Sequence, residues 1–502
     1  MSEIKINPSQ PRDLVGRWAD HPKAATGTND PTMAESAGQR YMPDLLELTE
    51  ATREVLDTIS AAGGRPYLVG GCVRDALISP GQIPKDVDIE VFGLNIDDLS
   101  ESLEAVGHVD DVGKEFSVLK MSIGSEDFDI SLPRREVKTA DGHRGFAVEA
   151  DPNSSPKNAS ARRDFTINSM MFDPQTGMLI DSWGGMDDLK EGVLRHTTEA
   201  FSEDPLRVLR GVQFSARFGY TMHPDTVALC QELSHTYAEL PTERVWEEWH
   251  KIAAKGTHIS AALATLKDTG WEKHYPELSV LHGVEQDSKW HPEGNVHIHS
   301  GLAADKASEM ATAAGLGEDD RTVIVLAAML HDFGKATHTQ HTVDADGNPK
   351  ITSHGHAEAG VEPAVAFLNR IGASKAVRDR VKPLIREHMC AAGIDQPTKS
   401  AVRRLARRLA PATVEEWAMV SSADKGGRGS GSIASGTEKW TALFEQEEDK
   451  MTPLLNGKHL IDAGMKPGPA FKPVLAAALE AQDNGEFNDE AGALHWFSAH
   501  TG

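Results

Sequence analysis

Two aspartates two positions apart, Asp86 and Asp88, are the residues in this sequence best suited to bind a divalent cation. Residues two apart on a β-strand point to the same face, so these carboxylates would lie side by side, flanked by buried Val87 and Ile89. Mg²⁺ is commonly bound by one or two carboxylates together with substrate phosphates. The pair therefore predicts a magnesium site on one face of a strand.

A pair of glycines precedes these aspartates. An apolar run at residues 67–69 ends in Gly70 and Gly71, and a helix is predicted to begin near residue 73. Glycines ahead of a helix allow backbone N–H groups to approach a phosphate closely, and Arg74 could neutralise the phosphate charge. Gly-Gly and Asp-x-Asp are each common in turns and surfaces when they occur alone. Together, a triphosphate site and a metal site describe a nucleotidyl-transfer centre.

Further along the chain, Arg163, Asp164 and Asn168 lie among apolar residues that we expect to anchor the segment. The three polar residues would then face a cleft. An arginine suits nucleotide phosphates and an aspartate accepts hydrogen bonds from ribose hydroxyls. A salt-bridged helix start is the alternative. The predicted apolar anchor consists of Phe165, Ile167 and Met170.

The segment SEDPLRVLR, residues 202–210, predicts a helix with Pro205 in its first turn and Ser202 or Asp204 as its cap. Asp204 and Arg207 are three positions apart and so lie on one helical surface. A carboxylate acceptor beside a guanidinium fork can match the hydrogen-bonding edge of a base without a nucleic-acid template. A capped helix with one ion pair is the alternative.

Histidines cluster after residue 285. An apolar helix over residues 323–330 ends in His331 and Asp332, whose nitrogen and oxygen atoms could reach one metal. An upstream histidine, His299, and a later aspartate, Asp424, could complete the site.

The chain contains 51 Lys and Arg against 76 Asp and Glu, a formal net charge of -25, which argues against a general polyanion binder. Any RNA contact must be local, and the best candidate is AVRRLARRLA, residues 401–410, with Arg403, Arg404, Arg407 and Arg408 on one helix side. A helix docked on the core is the alternative. Three distant cysteines, no signal peptide and no run of eighteen apolar residues predict a cytoplasmic protein without a membrane span.

Several elements must position the first two motifs. Residues 43–62 have the apolar spacing of a helix that leads into the strand before Gly70. A second helix is predicted over residues 96–106. Apolar runs at 116–121 and 128–132 predict a hairpin of the same sheet, which places Asp129 on a strand facing an undetermined side. Asp129 is therefore either a third carboxylate of the site or an exposed strand residue.

The combination GGxVRD and DxD, followed by RRDFTIN and EDPLRVLR, resembles the polymerase-beta-like nucleotidyltransferases, in the branch of the tRNA CCA-adding enzymes and bacterial poly(A) polymerases. The resemblance implies Mg²⁺ on catalytic Asp86 and Asp88. Gln213 stands where the family pattern has a further arginine, and this departure leaves room for changed nucleotide or primer handling. The nucleotide-binding residues that it implies are Gly70, Gly71, Arg74, Arg163, Asp164, Asn168, Asp204, Arg207 and Arg210.

The motif HDFGK at residues 331–335 resembles the HD phosphohydrolase domain. The resemblance implies the metal ligands His299, His331, Asp332 and Asp424. His356 and His388 then lie where a second metal or a substrate phosphate would be bound. Mixed nitrogen and oxygen ligands favour Mg²⁺, Mn²⁺, Ni²⁺, Co²⁺ or Fe²⁺ over a closed structural zinc, and a metal-bound water would attack a phosphoester.

Together these resemblances imply an α+β chain in which a mixed-sheet head precedes a helical body and an HD domain. The implied activity is untemplated addition or repair of the tRNA 3′-terminal CCA from CTP and ATP, with pyrophosphate released. Poly(A) polymerase, CC-only or A-only addition, and a catalytically dead RNA-binding protein are the alternatives, and the chain would be a monomer or a homodimer. The expected regions are a loosely ordered extension (1–42), the head (43–200), the neck and body (201–284), the HD domain (285–430) and a helical C-terminal segment (431–502).

Overall fold

The computed structural model describes residues 38–81, 83, 86–110, 117–138, 146–428, 436–447 and 452–501. The predictions for residues 1–37, and those for parts of two predicted loops, residues 139–145 and 429–435, lie outside this range. The chain divides into two compact units. Residues 1–211 and 220–237 form the head unit, and residues 212–219 and 238–502 form the helical unit.

The head unit is built on a mixed eight-stranded sheet, as the predicted fold class requires. The strands of this unit are β1 Gln39–Tyr41, β2 Arg65–Val69, β3 Asp86–Phe92, β4 Val109–Asp110, β5 Val118–Ile123, β6 Glu126–Ser131, β7 Arg134–Lys138, β8 Phe146–Ala150, β9 Met171–Asp173 and β10 Met178–Ile180. The order in the sheet is β1-β10-β9-β2-β3-β6-β5-β4, and β3 pairs with β6 in parallel while its other neighbour, β2, is antiparallel. β7 and β8 form a separate hairpin.

Sequence patterning explains the central strands and the predicted hairpin. In β3, Val87, Ile89 and Val91 are buried, since alternate side chains of a strand face the core. β5 and β6 form the expected antiparallel hairpin, in which Asp129 lies opposite Lys120. The alternation therefore leaves the aspartates of β3 on the face opposite its apolar core.

The first helix is shorter than predicted. It begins at Glu50 because the Thr49 side chain accepts a hydrogen bond from the Thr52 backbone N–H, which caps the helix there. Leu45 and Leu46 are buried ahead of it without being helical. The helices of this unit are Glu50–Ala61, Gly71–Ile78, Ile96–Leu103, Pro156–Ser160, Gly185–Glu191 and Pro224–Leu233, with 3₁₀ turns at Thr166–Asn168 and Glu199–Glu203.

A helix at Leu206–Phe218 begins in the head unit and ends in the helical unit. The short strands β11 Val193–Leu194 and β12 Thr221–Met222 pair in parallel within the head unit. A 3₁₀ turn, Ser234–Glu239, precedes the remaining helices.

The helical unit packs around the apolar helix Glu318–Leu330, in which every residue from Thr322 to Leu330 is buried. Such an all-round apolar helix needs neighbours on every side. Its only strands among the described residues are the hairpin pair β13 Gln340–Val343 and β14 Pro349–Thr352. The other helices, with two 3₁₀ turns at Trp271–His274 and Val280–Gly283, are Thr242–Lys255, Ile259–Asp268, Pro276–Ser279, Val296–Ala313, Lys335–His338, His356–Ala359, Val361–Arg370, Lys375–Glu387, Lys399–Leu409, Val414–Gly426, Glu438–Glu447, Gly457–Asp462, Phe471–Asn484 and Glu490–Thr501.

The last three helices have a small core of their own, which includes Leu455, Leu460 and Phe497. Within the described residues, no helix is long and apolar enough to cross a membrane.

Candidate active sites

The head site is formed where β3 and β6 run side by side. Their parallel register pairs Asp86 with Asp127 and Asp88 with Asp129, so four carboxylates share one face of the sheet. The sequence left open which face of the sheet carries Asp129, and the structure places it on the same face as Asp88. A cavity of about 610 Å³ is lined by these four residues together with His108, Asp110, Lys120 and Ser122.

Asp88 is the carboxylate most affected by its surroundings. Burial raises its pKa, Arg163 opposes that shift, and the neighbouring charges of Asp129 and Asp86 add to it. Lys120 lies 3.0 Å from Asp129 and offsets part of the negative charge. A divalent cation would offset the rest, so the oxygen-only donor set and the open cavity fit Mg²⁺ with its retained waters and phosphates.

Gly70 brings the glycine motif against the carboxylates. Its φ is +71°, and a Cβ there would lie 3.0 Å from Asp88 Oδ2 and 3.2 Å from Arg163 Nη1. The positive φ favours glycine at this position, and a Cβ would displace the ends of the Asp88 and Arg163 side chains. The helix Gly71–Ile78 starts immediately after it, so the first backbone N–H groups of that helix lie next to the carboxylate site.

The prediction that Asp164 and Asn168 face a cleft is wrong, because both are buried in a hydrogen-bonded chain. Arg74 Nη1 donates to Asn168 Oδ1 (2.6 Å), and Asn168 Nδ2 donates to Asp164 Oδ1 (2.9 Å). Arg210 Nε donates to Asp164 Oδ2 (2.8 Å). Burial raises the pKa of Asp164, but the opposite effect of Arg210 and Asn168 is larger, so the pKa lies below its usual value. These polar residues hold three motifs together, and the predicted apolar anchor around them is fully buried.

Arg163 points the other way. Its Nη2 donates to Glu90 Oε2 (3.1 Å), and its charge lowers the pKa of Asp88 against the effect of burial. The side chain is about a quarter exposed. Of the arginines in this motif, Arg163 is therefore the one adjacent to the carboxylates.

The predicted base-selecting pair is held by backbone contacts. Arg207 Nη1 donates to the carbonyl of Ala200 (2.5 Å) and its Nη2 to that of Arg162 (2.6 Å). Asp204 Oδ1 accepts from the N–H of Leu206 (3.1 Å), which is the capping role expected at this helix start. The two carbonyls fix the plane of the guanidinium, and base selection by the pair stays a prediction.

The second site lies in the helical unit, where the structure brings all four predicted metal ligands together. His299 Nε2 is 3.1 Å from Asp424 Oδ1, and His331 Nε2 is 3.2 Å from Asp332 Oδ2. His299 Nε2 and Asp332 Oδ2 are 3.6 Å apart. All four side chains are buried.

His356 and His388 join the same cluster through Asp332. Oδ1 of Asp332 lies 3.2 Å from His356 Nε2 and 4.0 Å from His388 Nε2, while its Oδ2 faces His299 and His331. One carboxylate therefore presents a separate oxygen to each histidine pair. This is the arrangement in which a carboxylate can bridge two metal positions.

Backbone carbonyls set the tautomers of three of these histidines. Nδ1 of His331, His356 and His388 lies 2.6 to 2.7 Å from the carbonyl oxygen three residues earlier in each case. A carbonyl only accepts, so Nδ1 carries a proton in each of the three rings and Nε2 is the nitrogen that faces the cluster. His299 is oriented by a carboxylate instead, with its Nδ1 2.7 Å from Glu293 Oε1.

The pKa shifts reflect a buried, densely charged cluster. Burial lowers the pKa of His331, but Asp332 and Asp424 raise it to about 10. Burial and the positive charge of His331 lower the pKa of His388 to about 3. For Asp332, burial raises the pKa, yet His331 and Lys335 bring it well below the usual range.

A divalent metal fits this donor set. Nε2 of His331 is buried, faces two carboxylates and has no hydrogen bond of ordinary geometry with the described residues, so a cation could be bound at this position. A cation there would replace the proton that the two carboxylates hold on this imidazole. The described residues also offer the nitrogen and oxygen donors that first-row metals accept.

Four residues of this site were not among its predicted ligands: His291, Glu293, Lys335 and Arg428. Glu293 Oε1 accepts a hydrogen bond from His291 Nδ1 and lies 2.7 Å from His299 Nδ1. Lys335 Nζ lies 2.6 Å from Asp332 Oδ2, and Arg428 donates to both carboxylate oxygens of Asp424. Lys335 and Arg428 stand three and four positions after a predicted ligand. Helical spacing could have indicated those two, whereas the position of Glu293 depends on a loop.

The arginine-rich helix is not a free cationic surface. Arg403 pairs with Glu447, Arg407 with Asp483 and Arg408 with Glu387, and Arg403 is buried. The RNA-contact prediction is wrong for these three arginines because their charges are neutralised by carboxylates distant in sequence. Arg404 is exposed.

Models of known families match three parts of the chain: a poly A polymerase head domain (residues 66–195), a probable RNA and SrmB-binding site of polymerase A (219–281) and an HD domain (296–419). A multifunctional CCA protein from Xanthomonas campestris pv. campestris strain B100 is 34% identical over 422 residues, covering 82% of this chain and 96% of the relative. The chain belongs to the multifunctional CCA protein family. A family member from Stenotrophomonas maltophilia is 36% identical over 72% of this chain and 86% of its own.

Solved structures share the fold. The Bacillus stearothermophilus CCA-adding enzyme in complex with CTP matches with a TM-score of 0.59 at 20% identity, covering 90% of this chain and 98% of that one. The Thermotoga maritima CCA-adding enzyme complexed with tRNA gives a TM-score of 0.51 at 20% identity, covering 89% and 94%. The predicted order of mixed-sheet head, helical body and HD domain is thereby confirmed.

Proposed function

We propose that this protein is a tRNA nucleotidyltransferase that adds or repairs the 3′-terminal CCA from CTP and ATP without a nucleic-acid template. The observation that carries the proposal is the close approach of Gly70 and Arg163 to Asp88, which itself lines a cavity together with three further aspartates of the two paired strands. The relatives reported above are named multifunctional CCA proteins, which supports the proposal.

In the proposed reaction, the terminal ribose hydroxyl attacks the α-phosphate, and the bond to the pyrophosphate oxygen breaks in line with it. Asp86 and Asp88 would hold the Mg²⁺, which supplies charge stabilisation and lowers the pKa of the attacking hydroxyl. Asp129 lies beside Asp88 and is available to accept the released proton. The N–H groups after Gly70, with Arg163, would hold the triphosphate.

Nucleotide choice is assigned to Asp204 and Arg207. Their contacts with the backbone of the head unit fix the edge they present, so only a base with the complementary donors and acceptors would be bound. The burial of Asp164 and Asn168 gives them an indirect role, in which they orient Arg74 and Arg210.

The HD cluster would carry a separate, metal-dependent phosphoester hydrolysis. His299, His331, Asp332 and Asp424 would hold one divalent ion, drawn from Mg²⁺, Mn²⁺, Ni²⁺, Co²⁺ and Fe²⁺ on the basis of the mixed donors. His356 and His388, with the second oxygen of Asp332, would hold a second ion or the substrate phosphate. A bound metal supplies an activated water there, and Lys335 and Arg428 keep the carboxylates oriented.

We assign the protein to the cytoplasm, with a tRNA 3′ end as its macromolecular partner. Poly(A) polymerase is the second candidate because the head model is named for that enzyme. Product length distinguishes the two. The protein would be incubated with CTP, ATP, Mg²⁺ and a tRNA transcript that lacks its CCA end. We expect the transcript to grow by three nucleotides and no further, whereas a long adenylate ladder would favour the poly(A) polymerase.

A further inference from the structure

A second histidine and carboxylate cluster lies outside both sites described above. Glu272 stands at the centre, with Oε1 2.6 Å from His297 Nε2 and Oε2 2.8 Å from His282 Nε2. The Glu272 and His297 side chains are 7% exposed and that of His282 is 27% exposed. None of the three residues contributes to the HD cluster, although His297 lies two positions before His299 on the same helix.

The two imidazole rings are unusually close. Their centroids are 3.7 Å apart and their planes differ by 25°, whereas aromatic rings in proteins commonly stand about 4.5 to 7 Å apart. The Nε2 atom of each ring faces one carboxylate oxygen of Glu272, so two imidazole nitrogens and a carboxylate point toward a common position.

We infer that Glu272, His282 and His297 form an additional binding site for a divalent first-row metal ion, with Zn²⁺ as the best-matched probe. Two imidazole nitrogens and one carboxylate form a ligand set that zinc accepts, and it leaves a fourth position for water. The three ligand atoms already lie within 4.8 Å of one another. Tetrahedral zinc with bonds of about 2.0 to 2.1 Å needs ligand atoms about 3.3 Å apart, so the Glu272 oxygen that binds the ion and the histidine nitrogen now in contact with it would separate by about 0.5 to 0.7 Å.

The placement of the ligands gives the ion a structural role. Glu272 lies in the turn Trp271–His274, His282 in the turn Val280–Gly283, and His297 in the first turn of the helix Val296–Ala313. An ion at this point would tie both turns to the start of the helix that carries His299. The partial exposure of His282 provides the route from solvent.

Zinc stoichiometry of the full-length protein tests this site. Protein stripped with a chelator would be equilibrated with Zn²⁺, desalted and analysed for zinc per chain. Glu272→Gln and His282→Ala are each expected to bind one equivalent less than wild type. Asp424→Asn removes a ligand of the HD cluster and is expected to keep the zinc bound at Glu272. The double variant Glu272→Gln with Asp424→Asn is expected to lose that zinc.

Glu248→Gln is the matched control, because Glu248 is equally buried but pairs with Lys251 instead of histidines. It is expected to bind as much zinc as wild type. A circular-dichroism spectrum and a thermal unfolding curve like those of wild type show that each variant is folded, and His282→Ala, at the more exposed position, serves if Glu272→Gln does not fold. Equal zinc content in wild type and His282→Ala would overturn the proposal and leave the cluster a hydrogen-bonded contact.

Discussion

In the head unit, Asp86, Asp88 and Asp129 stand on the open face of a sheet, and Lys120 pairs with one of them in solvent. In the helical unit, Asp332 and the histidines around it are buried, and three of the imidazoles are locked by backbone carbonyls. The first site is shaped to receive metal together with a large nucleotide. In the second site, protein contacts already hold the imidazoles in place, and the histidines and aspartates shift one another's pKa values.

The ligands of the two sites are therefore ordered by different contacts. An open carboxylate face takes most of its order from the substrate, since Mg²⁺ keeps waters and phosphates among its ligands. A buried cluster of nitrogen and oxygen donors takes its order from outer contacts such as the carbonyls and Glu293. Mutations of supporting residues should therefore have unequal consequences in the two sites.

The largest effect is expected at Asp332. Asp332→Ala removes the carboxylate that contacts both histidine pairs, so metal-dependent phosphoester hydrolysis should fall below detection. Glu293→Gln, which only weakens the orientation of His299, should cost about 10- to 100-fold. The measurement is hydrolysis of a chromogenic phosphodiester and a chromogenic phosphomonoester with each divalent ion. Equal losses of hydrolysis in the two variants would show that Glu293 matters as much as the ligand Asp332, which contradicts a role limited to orienting His299.

A smaller effect is expected at Gly70. Gly70→Ala introduces a Cβ at a φ of +71°, 3.0 Å from Asp88 Oδ2, and strained backbone of this kind costs about 1 to 3 kcal/mol. We expect kcat/KM for CTP to fall about 10- to 100-fold, measured by incorporation into tRNA.

Gly63→Ala provides the control for backbone strain, because Gly63 has a φ of +93° with nothing within 4 Å of its Cβ position. It should lower stability without lowering kcat/KM. If both variants lose activity equally, the close approach of Gly70 to Asp88 has no catalytic consequence.

The smallest effects compare two ion pairs of the same chemistry. Lys335 and Asp332 are buried at 2.6 Å, whereas the Lys120 and Asp129 side chains are 64% and 50% exposed. Breaking a buried pair leaves an uncompensated charge and costs about 3 to 5 kcal/mol, while an exposed pair contributes about 0 to 1 kcal/mol. In chelator-treated protein, calorimetry should show several degrees of destabilisation for Lys335→Met and almost none for Lys120→Met. Similar shifts would contradict the contrast between the sites.

Local sequence patterns were sufficient for the strand that carries Asp86 and Asp88, because alternation with Val87 and Ile89 depends only on neighbours. The side of Asp129 was not predictable, since it follows from the register between β3 and β6. The first helix was predicted too long because the cap at Thr49 decides where it begins.

Errors about charged and polar residues share one cause. Asp164 and Asn168 were expected to face a cleft. The helix of residues 401–410 was the best local candidate for an RNA contact, with a helix docked on the core as the alternative. Their partners, such as Arg210 for Asp164 and Glu447 for Arg403, stand 46 and 44 positions away. Sequence spacing indicates which residues share a helix face, but not which carboxylate from another element meets them.

The central claim is that one chain carries two independent sites. The most direct test measures CTP and ATP incorporation into tRNA, and phosphoester hydrolysis, on wild type, Asp86→Ala and Asp332→Ala side by side. We expect Asp86→Ala to lose incorporation and keep hydrolysis, and Asp332→Ala to keep incorporation and lose hydrolysis. Loss of both activities in either folded variant, or of neither, would contradict it.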